Sequence, residues 1–258
     1  MNTSSIKISA TIITFNEEKN IARCIDSLKD VVDEIVILDS FSTDKTEEIC
    51  KAKKVKFEQH AFDGHIQQKN RAIQLTSNDY VLSLDADECL DENLKKSIQN
   101  IKDNFIEDGY SMNRLTYYCG HWVRHCGWYP DAKIRLFNKA KGKWTGINPH
   151  DKFVLVNPNN SGWIEGDILH YSYYSREDHL KQIEYFSSIA AKELHQRGKK
   201  SSKLLIGIKV VAQYVKSLII KQGFRDGKTG WTISRLSAFA TYRKYTKLLE
   251  LNQGEKII

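Results

Sequence analysis

The chain has 258 residues, 41% of them hydrophobic and 28% charged, with a formal net charge of +7, which excludes an extended disordered polymer and suits one large globular domain, alone or with an appendage. Three prolines leave no material for a Pro-rich linker, and no repeat or low-complexity block is visible. The charge is uneven: from Tyr171 onward 17 Lys and Arg face 7 Asp and Glu, which suits an anionic partner such as lipid headgroups, nucleic acid or a phosphorylated acceptor, or simply a solvated helical surface. The five cysteines, Cys24, Cys50, Cys89, Cys119 and Cys126, are odd in number and scattered. The polar opening Met1-Asn2-Thr3-Ser4-Ser5 lacks the charged-then-apolar pattern of an export signal, so a reducing, cytoplasmic setting is expected.

In chain order, the β-branched apolar run Ile8 to Phe15 predicts a buried strand that stops at Asn16-Glu17-Glu18. Ile21, Ile25 and Leu28 recur at helical spacing and predict a helix over Ile21–Leu28. A second strand, Ile35 to Leu38, ends at Asp39-Ser40-Phe41-Ser42-Thr43-Asp44, where Ser42 or Thr43 is expected to cap a helix over Asp44–Lys53. A short strand, Val55 to Phe57, and a helix, His65 to Leu75, lead to the apolar run Tyr80 to Leu84. That run passes straight into Asp85-Ala86-Asp87-Glu88.

Strand and helix alternating in this way build a parallel, doubly wound sheet, and parallel strands place their carboxyl ends on one edge, where ligands bind. Three polar or acidic strand ends should therefore converge on one cleft. Asp85 and Asp87, two apart on extended chain, project to one side and repel unless a cation lies between them; Mg²⁺ or Mn²⁺ with a substrate diphosphate would suit. The competing reading is a solvated acidic turn ahead of a helix over Asp91–Ile101. No Gly-x-Gly-x-x-Gly follows the first strand and no Gly-x-x-x-x-Gly-Lys-Ser/Thr occurs, which argues against a dinucleotide fingerprint and a P-loop.

Beyond the sheet, Cys119, His121, His125 and Cys126 fall within eight positions and raise a zinc site, although their spacing matches no common finger. In the aromatic stretch Tyr117 to Tyr129, Trp122, Trp128 and Tyr129 offer ring faces on which a ligand could stack, or else are core aromatics. From Ser175 the pattern is helical: Arg176–Arg197, a break at Gly198-Lys199-Lys200, then Leu204 to Ile220. Lys209, Gln213 and Lys216 interrupt that last run, so an amphipathic helix on a membrane surface fits better than a spanning one, and packing on the preceding α/β domain is the alternative. A Gly-rich turn, Gly223 to Gly230, precedes a final helix, Trp231 to Leu249. Such helices can also pair with a second copy as a homodimer.

Taken in order, Thr14-Phe15-Asn16-Glu17-Glu18, Asp39-Ser40-Phe41-Ser42-Thr43-Asp44-Lys45-Thr46, Gln68-Lys69-Asn70 and Leu84-Asp85-Ala86-Asp87-Glu88 resemble the family 2 glycosyltransferases of GT-A fold. The likeness continues through Gly127-Trp128-Tyr129-Pro130-Asp131, Arg135-Leu136-Phe137, Trp144-x-Gly146 with His150-Asp151, and Leu169-His170-Tyr171. Within the family the chain is most similar to the lipopolysaccharide-core branch of WaaE/KdtX type, which implies β-1,4-glucosyl transfer to inner-core heptose. The fold implied is α/β, a GT-A domain with a Rossmann-like, mostly parallel sheet over residues 1–170, followed by a helical region over 171–258 that serves acceptor, membrane or self-association.

The resemblance implies a UDP-hexose donor. Asp39 would accept a hydrogen bond from the base, or act as a turn residue; Phe15 would lie against the base, or pack in the core; Asn16 and Glu17 belong to the same donor-binding strand end. Lys69, with Arg71 as the alternative, would meet the donor phosphates. Asp87 would be the more direct metal ligand, Asp85 would reach the ribose or a metal water, His170 would return as a third ligand, and Glu88 would stand behind them. Inverting transfer needs one base for the acceptor hydroxyl. Asp151 is the candidate, Asp131 the runner-up, and His150 would orient the base or touch a phosphate. His150-Asp151 stands where the family often has His-Glu. Other readings left open are a sugar nucleotidyltransferase, a non-catalytic glycan- or membrane-binding module, and a nucleic-acid binder for which no recognition motif is present.

Overall fold

A computed structural model describes residues 5–147 and 150–255. Their contacts divide the chain into two compact units, one up to Leu115 with Asp131–Tyr171, the other Thr116–Pro130 with the C-terminal segment from Ser172.

The first unit opens with β1 (Ile8–Thr14), α1 (Ile21–Leu28), β2 (Glu34–Asp39), α2 (Thr46–Ala52), β3 (Lys56–Gln59), α3 (His65–Gln74) and β4 (Tyr80–Asp85). These are the alternating elements the hydrophobic pattern predicts, and β3, β2, β1 and β4 lie side by side in parallel. Residues 8–12 of β1 are buried on both faces, as helices on either side of a parallel sheet require. The start of α2 differs from expectation. Lys45 occupies its N-cap without a side-chain cap bond, and Asp44 takes the role instead, its Oδ1 accepting from the Thr46 N–H at 3.0 Å. Ser42 is committed elsewhere, its hydroxyl donating to Asp39 Oδ1 at 2.5 Å.

After β4 come β5 (Glu88–Leu90), α4 (Glu92–Lys102), β6 (Gly109–Tyr118), β7 (His121–Val123), β8 (Ala132–Asn138), β9 (Gly142–Ile147), β10 (His150–Leu155) and β11 (Ser161–Tyr173). The sheet continues from β4 through β8, β6 and β11 to β5. β8 is antiparallel to β4, β6 to β8, and β5 to β11, so the sheet is mixed, with four parallel strands at one end. β9 and β10 form a separate antiparallel hairpin. Its Trp144 and Phe153 bury with Ile73, Val81, Phe137 and Leu155, and the Phe137 and Phe153 rings stack at 3.5 Å.

The second unit contains β7 paired with residues 116–118 of β6, then α5 (Arg176–Gln196), α6 (Lys203–Val215) and α7 (Gly227–Asn252). Ser175 and Asp178 form a reciprocal capping box at the start of α5. Arg243 of α7 grips Glu184 of α5 bidentately at 2.7 and 2.9 Å. Residues of the Gly-rich stretch are recruited into structure: Gly223–Asp226 is a short 3₁₀ turn, and α7 begins at Gly227. At Gly230 a Cβ would lie 1.7 Å from the Gly223 carbonyl oxygen, so only glycine permits this close approach. Among the described residues, no helix is long and apolar enough to cross a membrane.

Candidate active site

The strand registers decide where the acidic ends meet. Thr14 pairs with Asp39 and Ile13 with Asp85, so the carboxyl ends of β2 and β4 flank that of β1 at the same level. The first two loops are stitched together by side chains. Asn16 sits at φ 55 with its N–H donating to Ser42 Oγ at 2.8 Å, and its Oδ1 accepts from the Thr43 N–H at 2.8 Å. The Glu17 N–H donates to Thr46 Oγ1, and the Glu18 N–H to Asp44 Oδ2. Phe15 and Phe41 both stand exposed at this edge, Phe41 in the left-handed region at φ 60. Bulky residues rarely adopt that conformation, and it is found most often at functional sites. Core packing of Phe15 is therefore not what the fold uses.

Asp39 is fully buried. Its carboxylate accepts from the Ser42 N–H and Oγ and from Gln59 Nε2 at 3.1 Å. In this arrangement it shapes the Asp39–Ser42 turn, the alternative role considered for it above.

The segment Gln68-Lys69-Asn70 on α3 reaches three elements. Gln68 Nε2 donates to Ser40 Oγ and to the His60 carbonyl. Asn70 clamps β9 with a reciprocal pair, its Nδ2 donating to the Trp144 carbonyl and its Oδ1 accepting from the Trp144 N–H, both at 3.0 Å. Lys69 is buried, its ammonium 2.9 Å from Asp85 Oδ1, 2.8 Å from Asp151 Oδ2 and 4.4 Å from the centre of the Trp144 ring. Arg71, the alternative phosphate ligand, pairs instead with Asp63 at 3.0 Å.

Asp85 Oδ2 also meets Arg135 at 3.2 Å, so both of its oxygens face cations of the protein. Burial pushes its carboxyl up, but Lys69 and Arg135 outweigh this and hold it well below the ordinary carboxylate range. Glu88, buried, accepts from the Asp85 N–H and from Arg135 at 2.9 Å, with Arg114 3.6 Å away. The motif Arg135-Leu136-Phe137 gives its arginine no role in the sequence, and Arg114 lies in no motif; the signal present is an Arg within an apolar strand, as in Ile134-Arg135-Leu136-Phe137, because a buried guanidinium must be paired.

Asp87 lies in the turn between β4 and β5. Because β5 pairs with β11, with Glu88 opposite His170, the imidazole is brought beside it, His170 Nε2 3.1 Å from Asp87 Oδ2. Burial raises Asp87 and lowers His170, but their mutual attraction outweighs it, so the Asp87 carboxyl is lowered and the His170 imidazole raised. Glu17 is pushed up to about 7, chiefly by burial and further by Asp87, Asp44 and Asp85, against a hydrogen bond from Asn20 that lowers it. Among the described residues, no group of three or more His, Cys, Asp or Glu side chains is arranged to hold a metal ion. One carboxylate and one imidazole in contact nonetheless fit a hard cation whose shell is completed by substrate phosphates, since Mg²⁺ sites of that kind need only one or two protein carboxylates. Asp87 with His170 is the pair that fits; Asp85 is taken up by Lys69 and Arg135.

Asp151, opposite Gly146 in the β9–β10 hairpin, lines a cavity of about 540 Å³ together with Lys69, Asp85, Arg114, Arg135 and Trp144. Asp131 is held by Arg114 at 2.8 Å and Lys133 at 3.0 Å. The side chain of His150, and Asn148-Pro149, lie outside the described residues. In the second unit, Cys119, His121, His125 and Cys126 do not form a zinc centre. His125 donates through its backbone to Asp226, and its Nδ1 is 2.9 Å from the same carboxylate, whereas the Cys126 thiol is buried against the Gly230 carbonyl. Trp128 packs with Tyr118, Tyr173 and His179, as a core aromatic does.

Known proteins resemble this chain along most of its length. The profile of Glycosyl transferase family 2 matches residues 9–153. An uncharacterized glycosyltransferase of Rickettsia typhi is 33% identical over 256 residues, covering 95% of this chain and 88% of the relative. The lipopolysaccharide core biosynthesis glycosyltransferase LpsC of Rhizobium meliloti is 25% identical, covering 93% of each. The crystal structure of glucosyl-3-phosphoglycerate synthase from Mycobacterium tuberculosis, in complex with Mn²⁺, UDP and glucosyl-3-phosphoglycerate, is 25% identical with a TM-score of 0.36; the overlap covers 43% of this chain and 44% of that one.

Proposed function

The chain belongs to glycosyl transferase family 2 and is a glycosyltransferase, and we propose that it carries out metal-dependent, inverting transfer of a hexose, glucose from UDP-glucose, to a lipopolysaccharide core or related glycolipid acceptor at the cytoplasmic face of the inner membrane. The observation that carries this reading is the shared edge: the loop of Asn16 and Glu17, the Asp39 turn and the Asp85–Asp87 turn lie on neighbouring strand ends, and Asp85 opens on the same cavity as Asp151. The acceptor class is supported by the lipopolysaccharide-core relative and by the loop motifs it shares with that branch.

In this reading the exposed Phe15 and Phe41 rings offer faces for the nucleobase, and Asp39 holds the loop that presents them. Asp87 and His170 hold a divalent cation, which when bound neutralises charge on the departing diphosphate. Asp151 takes the proton of the acceptor hydroxyl while that oxygen bonds to the anomeric carbon and the bond from that carbon to UDP breaks. Asp151 is favoured over Asp131 because it lines the cavity with Asp85, whereas Asp131 is held directly by both Arg114 and Lys133. A diphosphate drawn to Lys69 would loosen that lysine's hold on Asp151, so that donor binding readies the base.

The test is UDP release from a panel of sugar nucleotides, with Mn²⁺ or chelator, with and without core glycolipid. Turnover of UDP-glucose that needs glycolipid and cation and falls at least about 100-fold in Asp87→Asn is expected. Cation-dependent turnover that survives in Asp87→Asn would move the cation site elsewhere, and no UDP release from any donor would overturn the reading.

A further inference from the structure

The helical unit leaves an apolar stripe in water. Leu204, Ile208, Val211 and Val215 of α6, and Ile219 in the π-helical turn Lys216–Ile220 that continues it, are 42–76% exposed. Their spacing of four, three, four and four residues puts them on one helix face. Ile206, Ser217 and Leu218, on the other side, are buried, and the Ser217 hydroxyl lies 3.0 Å from that of Ser234 on α7. The stripe is thus unpartnered within its unit.

The charge around it is of one sign. Between Glu193 and Asp226 there is no acid, while eight Lys and Arg occur. Lys203, Lys209 and Lys216 are exposed, and by helical phase the first flanks one side of the stripe and the other two its opposite side.

We propose that this face docks on an anionic lipid bilayer surface, with the apolar stripe entering the headgroup boundary and the flanking lysines meeting lipid phosphates. Long lysine side chains suit this role because their stems cover apolar surface while the ammonium stays at the polar level. A second copy of the chain fits less well, since apposing the same face would set its flanking lysines against their own copies. The surface lies wholly in the helical unit and stands independently of the proposed transfer chemistry.

The full chain is floated with vesicles of phosphatidylethanolamine containing phosphatidylglycerol, and with vesicles of phosphatidylcholine alone. Binding to the first, weakened by salt and at least about tenfold weaker to the second, is expected. Ile208→Glu with Val211→Glu should reduce binding about tenfold or more, and so should Lys203→Gln, Lys209→Gln and Lys216→Gln combined, with circular dichroism and UDP binding in solution unchanged. The lysine variant, which touches only exposed side chains, decides the matter if the glutamate variant does not fold. Absence of binding to phosphatidylglycerol vesicles at low salt, or binding that none of these substitutions weakens, overturns the proposal. A wild-type dimer in sedimentation equilibrium that Ile208→Glu with Val211→Glu turns monomeric would assign the face to a second copy instead.

Discussion

Lys69 is the residue on which the candidate site turns. Its ammonium is almost fully withdrawn from water, a cost met by two carboxylates and the face of Trp144. Replacing it with Met leaves Asp151 without its ion-pair partner and Asp85 with Arg135 alone. Removing one member of a buried pair costs about 3–5 kcal/mol; because the Asp85 side chain is 28% exposed, about 2 kcal/mol is the expected loss for Lys69→Met. Urea denaturation reads it directly, and a change below about 0.5 kcal/mol would show that neither carboxylate depends on the lysine. The same variant should lose donor binding, detected by calorimetry with UDP, if the ammonium also meets the diphosphate.

At the scale of elements, α3 is the part that assembles the rest. One turn of it reaches the β2 loop through Gln68, the end of β4 through Lys69 and the β9 strand through Asn70. The hairpin that carries Asp151 lies outside the main sheet, so side-chain packing and the Asn70 clamp hold it in place. Asn70→Ala removes both hydrogen bonds to Trp144 and should cost about 1–3 kcal/mol. Native-state hydrogen exchange should find the amides of β9 and β10 opening faster while those of β1 and β4 keep their protection. Equal acceleration everywhere would mean that the clamp serves global stability and not the position of the hairpin.

At the scale of the molecule, stability depends on acid through a buried histidine of the second unit. His179 is buried among Tyr118, Trp128 and Tyr173, and burial pushes its imidazole down to about 4. Between that value and the ordinary 6.5 the unfolded chain binds the proton and the folded chain does not. Stability is therefore full above about pH 6.5 and falls as pH drops toward 4, by roughly 3 kcal/mol for this one group. Thermal unfolding followed from pH 7.5 to 4.5 should show a shallower loss for His179→Phe than for the native chain. Parallel slopes for the two proteins would mean that the histidine is not held neutral.

The sequence alone determined the parallel half of the sheet and the edge at which the strand ends meet, because apolar runs ending in acids specify both burial and direction through local pattern. The ordered motifs from Asn16 to Asp87 likewise announced the family without any coordinates. Only tertiary structure decided what each side chain does there. Asp39 turns inward to its own loop, Lys69 reaches Asp151 across 82 positions of chain while also holding Asp85, and His170 reaches Asp87 because β11 pairs antiparallel with β5. Those partnerships join residues far apart in sequence, and an ion pair between distant strands leaves no periodicity behind. The exposed stripe on α6 shows the same division: its spacing is written in the sequence, but only packing against α7 shows which face is left to water.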